Sequence, residues 1–181
     1  MVQNMWHDVS AGKEAPHAIN VILEIPKGSD VKYEMDKETG LIKLDRFLFS
    51  SIHYPGDYGF VPQTLWEDGD PLDIVVLTGR KLSPGVLAEV RPIAVLKMID
   101  DGQSDDKVIA VYTGDPRYNE IKDLQDIPKH IIMELTHFFQ TYKSLQGKET
   151  EIAGMLGKEE AIKSVEKGIT LYKEKYGNKT N

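Results

Sequence analysis

Three carboxylates fall within six residues, Asp68-Gly69-Asp70-Pro71-Leu72-Asp73, immediately before the apolar run Ile74-Val75-Val76-Leu77. Carboxylates this close repel one another unless cations or water separate them. A Gly-Asp-Pro turn at a strand end can fold Asp68, Asp70 and Asp73 toward a common point. Their hard oxygens suit Mg²⁺ or Mn²⁺ rather than a soft metal. Read alone, the same residues are also a polar turn with unrelated solvated acids. A calcium loop of the EF-hand type fails directly. One starting at Asp68 needs Gly at its sixth position and Glu at its twelfth, where this chain has Asp73 and Gly79.

A second acidic run, Asp100-Asp101-Gly102-Gln103-Ser104-Asp105-Asp106-Lys107, lies between two strand-like segments. Alone it reads as a charged hairpin loop, with Asp106 a solvated acid. Beside the first cluster, and like it at a strand end, it suggests a shared metal site. Cations and phenols form the third element. Lys32 and Glu34 share one side of a candidate strand. Asp45-Arg46 ends the next strand, Tyr54 and Tyr58 sit in a turn-rich loop, Lys107 borders the second acid run, and Tyr142-Lys143 closes a helical segment. Singly these are a surface pair, loop aromatics and a core tyrosine, and His137 reads as a helix residue rather than a ligand. Together they fit one chemistry. A polyanionic phosphate needs cations, and metals need carboxylates. Two metal ions about 3.5–4 Å apart lower the pKa of a bound water and steady the attacking and leaving oxygens, while a nearby carboxylate accepts the proton. The residues thus point to a metal-assisted phosphoryl hydrolase and leave its substrate open.

The elements that must position these groups are mostly short and β-like. Residues 18–25 are apolar and β-branched, ending at Pro26-Lys27-Gly28-Ser29. Residues 31–35 and 41–47 flank Asp36–Gly40 as a hairpin. Further strands are expected at 73–78, 87–91, 93–98 and 108–112, a pattern that favours a small barrel or sandwich. After Pro128, which suits a first helical turn, Ile131, Leu135, Phe138, Tyr142 and Leu145 recur at helical spacing. A second helix is expected over 158–175, with Ala161, Ile162, Val165, Ile169 and Tyr172 on one face. Both helices need an apolar surface to cover. No repeat, low-complexity tract or linker divides the chain, so residues 1–181 read as one α+β, mainly β domain.

Composition bounds the alternatives. At 181 residues the chain can bury roughly 70% of its unfolded surface without a staple. It has no cysteine, which removes disulfides, thiolate zinc sites and cysteine nucleophiles. Residues 1–12 show no leader, and no apolar run approaches the ~20 residues of a membrane span, so a cytoplasmic location is expected. The net charge of −7 argues against sequence-independent nucleic-acid binding, which needs Lys and Arg to neutralise phosphates.

The ordered motifs carry a resemblance. Glu24, Lys32-Tyr33-Glu34, Asp45-Arg46, Tyr54-Pro-x-x-Tyr58-Gly59, Asp68-Gly-Asp-Pro-Leu-Asp73, Arg91-Pro92, Asp100–Lys107 and Phe138-Phe139-x-x-Tyr142-Lys143 together resemble family I soluble inorganic pyrophosphatases of the prokaryotic type. The likeness runs from about Val9 to the C-terminal helix. It implies an OB-like five-stranded closed β-barrel with two packed α-helices, and hydrolysis of inorganic pyrophosphate to two orthophosphates by metal-activated water with in-line attack. Several Mg²⁺ ions per site are implied, with Mn²⁺ or Zn²⁺ able to substitute, and a homo-hexamer. Asp68, Asp73 and Asp105 would bind activating metals, and Asp100 with Asp105 a substrate-borne one. Glu34 would lie near a further metal and Glu24 in its outer surroundings. Asp70 would be the general base, and Lys32, Arg46, Tyr58, Tyr142 and Lys143 would grip phosphate. Lys107 would balance charge and Tyr54 support the cluster.

Three other readings stand beside this one. A divalent-metal phosphomonoesterase or nuclease would use the same two-metal logic. An OB-type nucleic-acid-binding module needs a basic groove with exposed aromatics, against the acidic balance. A structural calcium-binding protein is weakened by the failed loop pattern.

Overall fold

Four strands here are covered on both faces, so their sequences run largely apolar rather than alternating. In the computed structural model, which describes residues 4–177, strands β1 (Ile19–Ile25), β5 (Asp73–Leu77) and β8 (Lys107–Tyr112) are buried along nearly their whole length. The expectation of no leader over residues 1–12 falls in part on residues 1–3, which lie outside that description. With β4 (Asp57–Phe60) and β6 (Leu87–Asp100), these strands form a closed ring in the order β1-β4-β5-β8-β6, completed by the β6–β1 pairing. All contacts in the ring are antiparallel except β5–β8. The five-stranded closure expected from the resemblance is therefore met, and the described residues are mainly β with two α-helices.

The hairpin of β2 (Val31–Met35) and β3 (Ile42–Phe47) forms a separate two-stranded sheet, paired from Val31↔Phe47 to Met35↔Ile42. Its turn is closed by Thr39 Oγ1 donating to Asp36 Oδ2 at 2.7 Å and by Gly40, whose φ of 71° is readily available only to glycine. A second hairpin joins β6 to the short β7 (Gln103–Ser104) through Asp101-Gly102. Both residues have positive φ (49° and 81°), as a two-residue type I′ turn requires.

Segments 87–91 and 93–98, expected as two strands, are one continuous strand. Pro92 sits where β6 changes partners on one edge, from β1 (Ile19↔Val90) to β9 (Thr150–Gly157; Ala94↔Gly157), and where the β8 register slips. A missing N–H is tolerated there because the ladder is already interrupted. Strands β4 and β9 were not foreseen.

Helix α1 (Lys129–Thr141) begins after Pro128, which caps it rather than entering its first turn. It stops at Tyr142, so the spacing read through Leu145 overruns it: Leu145 is 66% exposed in the next short turn, which Gly147 closes in the left-handed region. Leu135, Phe138 and Phe139 of α1 are buried with Tyr54, Tyr58, Ile93 and Leu96. Helix α2 (Lys158–Tyr176) buries Ala161, Ser164, Val165, Gly168 and Tyr172. Glu159 and Glu160 in its first turn and Lys173 and Lys175 in its last complement the helix dipole. Its Ala161 and Val165 pack against Val95, Val108 and Ala110 of β6 and β8. Among the described residues no helix is long and apolar enough to cross a membrane.

Candidate active site

The parallel β5–β8 register pairs Asp73 with Lys107, which sets a carboxylate beside an ammonium at the entry to both strands. The β6–β7 hairpin then turns the chain back, and Asp105 N–H donates to Met98 O at 2.9 Å, which brings Asp105 to the same end. There Lys107 Nζ pairs with Asp73 Oδ2 at 2.5 Å and with Asp105 Oδ1. Lys107 is only 2% exposed. Burial works against its charge, but the carboxylates of Asp73 and Asp105 outweigh it and hold the ammonium well above its usual pKa. Burial pushes Asp105 up, Lys107 opposes that, and Asp73 adds to it.

These groups line a cleft of about 180 Å³. Its walls include Lys32, Arg46, Tyr54, Tyr58, Asp68, Asp70, Asp73, Asp100, Asp105, Lys107, Tyr142 and Lys143, with Phe139 beside them. A contiguous cleft of about 320 Å³ shares Lys32, Tyr58, Asp70 and Asp73 and adds Glu24 and Glu34. Every residue to which the resemblance gives a site role thus lies in one of two joined clefts. Met35, Asp36, Lys37, Phe60 and Pro71 also line them and were not foreseen, and Phe139, quoted in the resemblance without a role, lines the smaller one. Asp106, expected to be solvated, is instead buried and pairs with Lys97 at 2.5 Å. It lines neither cleft. Arg91 donates to the carbonyls of Ile121 and Tyr118, a structural role.

Each cation is held by an acid. Lys32 Nζ pairs with Glu34 at 2.8 Å and Asp45 at 2.9 Å, and these two acids raise its pKa against the effect of its burial. Arg46 reaches Asp45 at 2.5 Å. Asp45 has no place in the sequence-derived set, although its position next to Arg46 was the available signal. Lys143 pairs with Asp100. The phenols stand on an aromatic floor between β4 and α1. Tyr54 and Tyr58 lie 5.5 Å apart, Tyr54 packs on Phe138 at 4.7 Å, and Phe138 on Tyr142 at 5.3 Å. Tyr142 is both the core residue and the cleft residue that its sequence position allowed. Burial holds Tyr54, Tyr58 and Tyr142 above the ordinary phenol range, so all three remain hydrogen-bond donors.

Carboxylates outnumber their partners. Asp68 makes no ion pair among the described residues and accepts only from Asp70 N–H at 3.0 Å. Although it reaches solvent at the cleft rim, partial desolvation first, and then Asp73, Asp105 and Asp70, push it up to about 6. Asp100 keeps one buried oxygen, Oδ1, without a partner. Glu24 is buried against Met35 N–H at 2.7 Å, and burial followed by the charge of Asp73 raises it to about 8. Among the described residues no three acidic or histidine side chains converge as a ready ligand set. Lysines take that place on the acids assigned to metal, Lys107 on Asp73 and Asp105 and Lys143 on Asp100. An all-oxygen donor set with surplus negative charge and an orphaned buried oxygen fits hard divalent cations, which would have to displace the lysines.

The comparisons agree with this geometry. A family model described as inorganic pyrophosphatase matches residues 21–173. The soluble inorganic pyrophosphatase 2 of Chlamydomonas reinhardtii is 46% identical over 171 residues, 94% of this chain and 89% of that protein. The inorganic pyrophosphatase of Haloferax volcanii is 47% identical over 174 residues, 96% of this chain and 98% of that one. The crystal structure of inorganic pyrophosphatase from Thermus thermophilus superposes with a TM-score of 0.91 at 43% identity, covering 94% of this chain and 99% of that one.

Proposed function

This chain belongs to the inorganic pyrophosphatase family, and from that membership we infer that it hydrolyses inorganic pyrophosphate to two orthophosphates in the aspartate-lined cleft. The observation that carries the reading is the mixed lining of one small cavity: five aspartates with three lysines, one arginine and three tyrosines. A small polyanion fits such a site, because its charge is met by cations and its oxygens by donors that burial keeps protonated.

Mg²⁺ is the cofactor we assign, several ions per site, with Mn²⁺ or Zn²⁺ able to replace it. Asp68, Asp73 and Asp105 would hold activating ions and Asp100 with Asp105 one arriving with the substrate, while Glu34 would lie near a further ion and Glu24 in the outer surroundings of the site. When bound, the ions lower the pKa of the attacking water and offset phosphate charge. Asp70 takes the proton as the water oxygen bonds to one phosphorus, in line with the bridging oxygen whose P–O bond breaks. Lys32, Arg46 and Lys143 neutralise and orient the phosphates, and Tyr58 and Tyr142 donate to them. Lys107 keeps Asp73 and Asp105 from repelling one another, while Tyr54 holds Tyr58 and α1 in place.

We further assign residues 1–181 to one inorganic pyrophosphatase domain, a cytoplasmic location and a homo-hexameric assembly. Exposed Leu41, Phe47, Phe49, Met133 and Leu145 give such an assembly apolar surface to cover. Light scattering on the purified protein tests it, and a monomer would reject it.

The test of function is phosphate release from pyrophosphate with Mg²⁺, with excess chelator, and with p-nitrophenyl phosphate as the alternative substrate. Release from pyrophosphate alone, abolished by chelator, is the expected result. Activity on the ester but not on pyrophosphate would keep the metal site and discard the substrate, and no release from either would favour a binding module.

A further inference from the structure

Lys37 lies outside the residues given a role above, yet it reaches the side chain on which the proposed chemistry turns. It stands in the β2–β3 turn, and its Nζ makes the one ion pair that Asp70 has among the described residues. Both residues line the larger cleft. The backbones at either end are fixed. The carbonyl of Lys37 accepts from Asn4 Nδ2 at 3.3 Å, and the turn around it is closed by the Asp36–Thr39 hydrogen bond. The ammonium also stands 5.8 Å from the ring of Trp6, which is itself pinned in the core by Nε1 donating to Thr64 O at 2.7 Å. Across the cleft, Asp70 N–H donates to Asp68 Oδ1 at 3.0 Å, and Asp70 O accepts from Trp66 N–H at 2.7 Å. With its main chain held, what remains free in Asp70 is the side-chain rotation, and the Lys37 ammonium is the charged group in contact with it.

We propose that Lys37 is a positioning residue for Asp70, carried by the β2–β3 turn and braced from behind by the N-terminal segment. The inference rests on Asp70 being the proton acceptor. The pair is about half exposed, 53% for Lys37 and 50% for Asp70, and ion pairs in that setting contribute little to stability. The contribution of Lys37 is therefore orientation, which a proton acceptor needs and a folded chain does not. A misplaced reacting group costs rate steeply.

The test is steady-state pyrophosphate hydrolysis with Mg²⁺ by wild type, Lys37→Met, Lys37→Arg, Asp70→Asn and the Lys37→Met/Asp70→Asn double variant, with thermal midpoints for each. Lys37→Met should lower kcat about ten- to a hundredfold with KM and thermal midpoint near wild type, and Lys37→Arg should retain most of the rate. In the Asp70→Asn background the same substitution should cost nothing further, because residues that act through one another are not additive. An unchanged kcat, or an equal loss in both backgrounds, would overturn the inference. A raised KM with kcat retained would overturn it in favour of substrate binding. All of these leave the pyrophosphatase reading intact, whereas a wild type that releases no phosphate removes both.

Discussion

Lys107 shows how the cleft tolerates its own charge. An ammonium almost out of contact with water is costly unless paired, and two carboxylates side by side are costly unless neutralised. Each makes the other possible. Lys107→Met should leave Asp73 and Asp105 facing one another and destabilise the chelator-treated protein by about 3–5 kcal/mol. Added Mg²⁺ should restore part of that loss, because the ions supply the missing positive charge. Urea unfolding with and without Mg²⁺ measures both effects, and equal stability of the two proteins in chelator would show that the pair is idle. Asp70 differs, being half exposed and outside the buried network. Asp70→Asn should keep the fold and the metal requirement while lowering kcat by about 10²–10⁴-fold, the range of general base catalysis. Near-wild-type turnover would remove it from that role.

Among the elements, β4 is the piece that the local sequence hid most effectively. Tyr54-Pro55-Gly56-Asp57-Tyr58-Gly59 reads as turn material, yet Asp57–Phe60 is a central strand paired to both β1 and β5. The reason lies in Gly59. A Cβ there would run into the carbonyl of Ile22 on β1, so only glycine lets the two strands approach. Gly59→Ala should therefore cost about 1–3 kcal/mol from overpacking. It should also disturb the neighbouring Tyr58. A thermal melt would show the first effect and pyrophosphate KM the second, and an unchanged melt would mean that β1 yields easily. The stop of α1 at Tyr142 is likewise a positioning device. One more helical turn would carry Lys143 along the helix, whereas the change to a short turn leaves it on Asp100.

For the molecule as a whole, the packing of acids sets a pH dependence. Glu24 sits near 8 in the fold against an ordinary value of 4.5. Between those values the folded chain keeps a proton that the unfolded chain has lost, so stability falls as pH rises from about 4.5 to about 8 and then levels. The raised Asp68, near 6, acts in the same direction over a lower range, and the raised Asp105 has the same sign. In chelator, thermal midpoints taken from pH 5 to 8.5 should therefore decline, and Glu24→Gln should flatten the upper part of that decline. A slope identical to wild type would mean that Glu24 ionises in the fold as freely as it does in water.

By itself the sequence determined the chemistry and most of the parts. Carboxylates, cations and phenols recur in a fixed order beside apolar runs, and short-range rules read the β2–β3 hairpin, the acidic strand ends and α2 correctly, because turn chemistry and periodicity are local. Tertiary structure decided what depends on partners far along the chain. The ring closure sets Asp73 against Lys107 through a parallel register that no local pattern encodes. Pairing on both edges merges two expected strands through Pro92 and makes a strand of β4, and pairing to β6 makes one of β9. Burial turned Asp106 from a loop acid into a partner of Lys97, and the β2–β3 turn brought Lys37 to Asp70. Those outcomes follow from which surfaces meet, and that is set by the whole fold rather than by the residues beside each position.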